Sequence, residues 1–154
     1  MKKLNYRKAV LASLMVAAVG LGACDDSPTE VEEHGDAATV RLVMNGQTIA
    51  TFTFATNSWV GEMDVDVGTE TPHIDVQFLE EDGEVIAFDS DFYLEVDVED
   101  ESIAEFEQDT PGEFGGHLHG VAAGETDVTF SLMHGTVGSG HADFTTAAVH
   151  AHVH

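Results

Sequence analysis

The chain has 154 residues, with 29 acidic side chains against five lysines and arginines, a formal net charge of −24 and one cysteine. A surface of that sign repels nucleic acid and anionic lipid, and a single thiol excludes an internal disulfide. Once a targeting segment is set aside, the length suits one domain with a single hydrophobic core.

The first such segment is at the N-terminus. Lys2, Lys3, Arg7 and Lys8 make a positive start, Ala9 to Gly20 is apolar, and small residues follow at Gly22 and Ala23, the order of a signal peptide. The apolar run is too short to span a bilayer as a helix. Leu21-Gly22-Ala23-Cys24 resembles the lipobox of bacterial lipoproteins. That resemblance implies that residues 1–23 are a signal helix that is removed. Cys24 is then lipidated as the new N-terminus, and the protein is anchored in the cell envelope on the periplasmic or outer-surface side. Asp25 and Asp26 resemble an inner-membrane retention signal of some Gram-negative bacteria, a rule that varies between lineages and leaves the membrane open.

Four of the five bases lie in the signal, so from Cys24 onward Arg41 alone faces 29 acids, a net −28. That surface attracts cations, and its scarcity of lysine also resembles proteins from salty habitats. Residues 24–38 are acidic with few large apolar groups and read as a flexible tether that holds His34 idle.

Residues 39–154 read as strands. Val40–Met44 and Gln47–Phe54 flank Asn45-Gly46, a strong two-residue hairpin signal. Met63, Val65 and Val67 alternate with Asp64 and Asp66; Ile74, Val76 and Phe78 alternate with Asp75 and Gln77. Asp82-Gly83 turns into Val85 to Phe88, and Phe92, Leu94, Val96 and Val98 alternate with Tyr93, Glu95 and Asp97. The period is two throughout, with acids on the opposite parity. The expected fold is an all-β antiparallel sandwich of about seven to nine strands.

Glu101-Ser102-Ile103-Ala104, Gly112-Glu113-Phe114-Gly115-Gly116 and the run from Gly120 to Thr129 (GVAAGETDVT) together resemble bacterial Ig-like domains of the Big2 type, found in intimin- and invasin-like surface proteins. The similarity covers roughly residues 84–146 and implies an Ig-like sandwich at a cell surface. Read on their own terms, Gly124 fits a tight turn, and Val128, Phe130 and Leu132 point to the core while Thr129, Ser131 and Met133 point away.

Seven of the nine histidines fall in the last 38 residues. On strands, His117 and His119 share one face, as do His150, His152 and His154. His134 and His141 flank the glycine-rich loop from Gly135 to Gly140 and are the expected cross-hairpin pair. If Ala151 and Val153 pack inward, the terminal histidines face water. A site combining His117 and His119 with His134 and His141, or with His150 and His152, supplies three or four nitrogens, enough for tetrahedral Zn²⁺ or tetragonal Cu²⁺. Met133 offers copper a thioether, although its parity marks it as exposed or partner-facing, and His73 reads as a polar residue at a strand start.

The chain has no H-E-x-x-H helix, G-x-S-x-G elbow or phosphate loop with its lysine, and its one cysteine is assigned to lipid, so no enzyme is expected. The expected function is a lipid-anchored envelope protein that binds Zn²⁺ or Cu²⁺ through C-terminal histidines. The competing expectation is a structural or adhesive Ig-like module that offers an exposed sheet to a protein or glycan, its histidines being solvated polar positions.

Overall fold

A computed structural model describes residues 37–154. The signal segment, Cys24 and the tether with His34 lie outside the described residues, except that Ala37 and Ala38 lie within them. Ala37 is buried, and Ala38 bridges Leu79 and Phe54 through backbone hydrogen bonds.

The fold is all-β. Eleven strands follow in order: β1 (Thr39–Met44), β2 (Gln47–Thr53), β3 (Ser58–Gly61), β4 (Met63–Val65), β5 (Ile74–Leu79), β6 (Phe92–Val98), β7 (Ala104–Glu107), β8 (Gly115–Gly120), β9 (Gly124–His134), β10 (His141–Thr145) and β11 (Val149–Val153). They form two sheets. One runs β3-β2-β1-β5-β8-β7, and the other runs β10-β9-β11-β4 with β6 also paired to β9. The count exceeds the expected seven to nine because short pieces such as β3, β4 and β7 close off each sheet.

Local chemistry sets the first hairpin. Asn45 (φ 53°) and Gly46 (φ 75°) both take left-handed backbone, as a type I′ turn requires, and Met44 pairs with Gln47 directly across it. The 11-residue strand β9 organises the second sheet. β6 runs along one side of it, while β11 and β10 divide the other, β11 against Gly124–Val128 and β10 against Ser131–His134.

The core lies between the sheets. Val40, Leu42, Phe52, Ile74, Val76 and Phe78 face Leu94, Val128, Phe130, Leu132, Val149 and Ala151, all essentially closed to water. Rings cross the gap, with Trp59 6.0 Å from Phe130 and Phe54 5.3 Å from Phe144 between centroids. Side chains of this size each bury on the order of 2–3 kcal/mol of transfer free energy, which replaces the covalent help that no disulfide supplies.

Three local expectations are corrected. Met133, expected outward, is only 9% exposed. The chain folds over that outer face, where Tyr93 pairs with Met133 and its hydroxyl accepts a hydrogen bond from Gly140 N. Val67, expected inward with Met63 and Val65, is 45% exposed because β4 ends at Val65 and the chain leaves the sheet, bridging to Gly120. The purely antiparallel pairing expected of the sandwich is broken at the C-terminal strand, which is internal to its sheet: β11 pairs antiparallel with β9 and parallel with β4. That parallel pair departs from an otherwise antiparallel sandwich.

Candidate metal centres

Each of the eight described histidines sits within 4.0 Å of a carboxylate, as expected where imidazoles are nearly the only bases. Arg41 donates instead to the side-chain oxygen of Gln77 at 3.0 Å. In two of these surroundings three residues bring one ligand atom each within 4.8 Å of the others.

The first is on the β9–β10 hairpin. The loop of residues 135–140 reverses the chain with left-handed glycines at Gly135 and Gly138, and a Cβ on Gly140 would lie 2.8 Å from the Tyr93 hydroxyl. The return register places His141 opposite His134, ring centroids 5.4 Å apart. His134 lies flat on Phe92, 4.5 Å away and tilted 15°, which restricts its rotation. A bulge between Ala142 and Phe144 leaves Asp143 as the extra residue. Its carboxylate lies 3.1 Å from His141 Nε2 and 3.8 Å from His134 Nδ1. One ligand atom from each of His134, His141 and Asp143 falls within 4.8 Å of the others.

The second surrounds the start of β5 and the turn into β8. His73 Nε2 lies 3.9 Å from both Asp109 Oδ2 and Glu113 Oε1, and one ligand atom from each of the three residues falls within 4.8 Å of the others. His117 sits beside them, its ring edge-on to His73 at 5.3 Å and its Nε2 3.6 Å from Asp109 Oδ1. His117 Nδ1 donates to the Thr71 carbonyl at 2.8 Å. That hydrogen bond, opposed by burial and aided by the Asp109 and Glu70 charges, raises the His117 pKa above its ordinary value.

Each of the remaining histidines meets one or two carboxylates. His119 lies between Glu107 and Glu70, at 3.2 and 3.5 Å. On the outer face of β11, His150 meets Asp127 at 2.7 Å, His152 meets Glu62 and Glu125 at 3.2 and 3.3 Å, and His154 meets Asp64 at 3.0 Å. Ala151 and Val153 are buried, so this row does face water.

The cross-hairpin pair His134/His141 is therefore brought together, and Asp143 completes it. The larger combinations are not formed: His117 and His119 are on one sheet and His134, His141, His150 and His152 on the other, and neither group of ligand atoms found among the described residues mixes them. Sequence reasoning missed His73, Asp109, Glu113 and Asp143. Asp143 carried a signal, the H-x-D spacing after His141; the other three carried none, because their meeting depends on β5 lying beside β8.

No protein family and no curated protein matches the chain, so the likeness to bacterial Ig-like domains rests on the residues quoted for it. Among solved structures the chain is similar to domains 4 and 5 of the S-layer protein SbsC, with 17% identity and a TM-score of 0.44. The match covers 60% of this chain and 46% of that one, so the chain spans less than half of its length.

Proposed function

We propose that this protein is a lipid-anchored component of a bacterial cell envelope that binds a divalent transition metal, Zn²⁺ or Cu²⁺, and carries out no catalysis of its own. The observation that carries the reading is the hairpin site, where His134 and His141 stand opposite each other with the bulged Asp143 against both. Two imidazoles and a carboxylate are a borderline-soft donor set suited to these ions and ill suited to Mg²⁺ or Ca²⁺, which take oxygen. Backbone pairing holds His134 and His141 opposite each other, and Asp143 lies in the bulge between two paired residues of the same strand, so little ordering entropy is lost on binding. The net −28 beyond Cys24 raises the local concentration of cations. Anchoring rests on the lipobox-like tetrad ending at Cys24, and acyl chains at about 0.8 kcal/mol per buried methylene make such an anchor durable.

The test is calorimetric titration of the purified whole chain with Zn²⁺ and Cu²⁺, beside the double variant His134→Ala, His141→Ala. Saturable binding that loses one ion per chain in the variant supports the reading; stoichiometry and affinity unchanged by the variant reject it.

One observation favours a second reading, that of a surface module without metal. His150 and Asp127 lie 2.7 Å apart, an ordinary charge-assisted hydrogen bond. In that reading all the histidines serve as counter-charges on an acidic sheet that meets a protein or glycan. Rejection of metal by the titration would leave this one standing.

A further inference from the structure

We propose that His73, Asp109 and Glu113, with His117 alongside as a fourth donor, form a second divalent-metal site, on the other sheet from the hairpin and specific for Zn²⁺-like ions. It goes beyond the hairpin reading and stands or falls separately from it.

The distances separate a metal site from an ion-pair network. A charge-assisted hydrogen bond between nitrogen and carboxylate closes to about 2.7–2.9 Å, as His150 and Asp127 do at 2.7 Å. The donors here stand off from one another: His73 Nε2 lies 3.9 Å from both Asp109 Oδ2 and Glu113 Oε1, and His117 Nε2, outside that group of three, lies 3.6 Å from the other Asp109 oxygen, Oδ1. With metal–donor bonds of about 2.0–2.2 Å, two ligands of a tetrahedral zinc lie about 3.3–3.6 Å apart. The observed spacing is thus too long for hydrogen bonding and within a few tenths of an ångström of that needed around an ion.

The surroundings are built to aim these groups. The Thr71 carbonyl can only accept, so His117 Nδ1 carries the proton in that bond, and the neutral ring presents its Nε2 lone pair toward Asp109. Asp75 Oδ1 lies 3.4 Å from His73 Nδ1, leaving His73 Nε2 on the side of Asp109 and Glu113. His117 therefore has the hydrogen-bonded outer partner that orients a metal-ligating histidine, and His73 has a carboxylate beside its Nδ1. Gly115 makes room for the first ring: a Cβ there would stand 2.4 Å from His73 Cε1 and 3.0 Å from its Nε2. The carboxylates are held by the turn that carries them. Gln108 donates to the Glu113 carbonyl at 2.7 Å and accepts from Gly112 N at 3.2 Å, while Asp109 N donates to Glu113 Oε1. Two imidazoles exclude the hard, oxygen-seeking cations, and the lack of any thiolate or thioether disfavours Cu⁺.

The experiment is native mass spectrometry and calorimetry with ZnCl₂ on the purified whole chain and three variants: H134A/H141A, H73A/H117A, and Asp109→Asn in the H134A/H141A background. H134A/H141A is expected to retain one Zn²⁺ per chain. Adding Asp109→Asn, which keeps the side chain's size, is expected to weaken that ion's binding about 100-fold, with the circular dichroism spectrum unchanged. In nitrogen-detected NMR of H134A/H141A, Zn²⁺ should shift Nε2 of His73 and His117 and leave the His117 Nδ1 proton in place. Loss of all stoichiometric zinc from H134A/H141A, or undiminished binding by H73A/H117A, overturns the proposal. A single wild-type ion that survives in H134A/H141A and vanishes in H73A/H117A would support this site and reject the hairpin one instead.

Discussion

His141 stands directly across the β9–β10 hairpin from His134, and the bulge residue Asp143 lies 3.1 Å from the first and 3.8 Å from the second. The bulge makes this trio, because it frees Asp143 from the pairing ladder. Replacing Asp143 with alanine removes the only carboxylate of the three and should weaken Zn²⁺ binding at the hairpin by about 10–100-fold. His119→Ala, on the other sheet, should leave that affinity unchanged. Calorimetry of the two variants side by side checks the pair of expectations.

His117 gives a pH dependence of defined sign. Its folded pKa is raised above the ordinary 6.5 by the Thr71 carbonyl first, then by Asp109 and Glu70, with burial opposing. A raised pKa means that the folded state holds the proton more tightly than the unfolded chain. The resulting stability is complete below about pH 6.5 and disappears as pH rises through the folded value. In chelator-treated protein, the gap in urea midpoint between wild type and His117→Gln should therefore narrow from pH 6 upward. A gap that widened would contradict the assignment. Asp109→Asn should lower the His117 midpoint seen by proton NMR.

Asp100 provides the opposite case at the acid end. Its carboxylate accepts from Ser102 Oγ at 2.5 Å and from Ser102 N at 3.0 Å, and these bonds lower its pKa below 3.8. A depressed carboxylate contributes stability above its unfolded pKa and loses it as pH falls through the folded one. Ser102→Ala should thus lower the melting temperature at pH 7 and cost progressively less below about pH 4. Calorimetric scans of both proteins from pH 7 down to pH 3 measure it.

These pairs also mark how far the sequence could be read. Asn45-Gly46 and the His134/His141 hairpin were legible because turn chemistry and a six-residue loop fix their pairing locally. The period-two pattern placed Val128, Phe130 and Leu132 in the core for the same reason. Met133 was misread because parity only says which face a residue takes; residues from Tyr93 and Gly140 cover that face here. His73 and His117 meet through β5 lying beside β8, a neighbour relation between strands far apart in the chain that no local pattern encodes. The parallel seating of β11 on β4 was hidden in the same way.

Trp59, the chain's one tryptophan, ties the sheets together and offers the sharpest test of the sandwich itself. Its ring leaves β3 to lie 5.4 Å from Phe52 in its own sheet and 6.0 Å from Phe130 in the other. Its Nε1 donates to the Ala147 carbonyl at 2.6 Å, just before β11 begins. Trp59→Phe keeps an aromatic ring in the gap but removes the donor to that part-buried carbonyl, and loss of such a hydrogen bond costs about 0.5–1.5 kcal/mol. Urea denaturation followed by circular dichroism should show a loss of that size with the slope unchanged, since the surface exposed on unfolding is nearly the same. Trp59→Leu, which also removes the tilted ring contacts with Phe52 and Phe130, should cost more. Equal stability of Trp59→Phe and wild type would mean that the bond to Ala147 does not bind the two sheets.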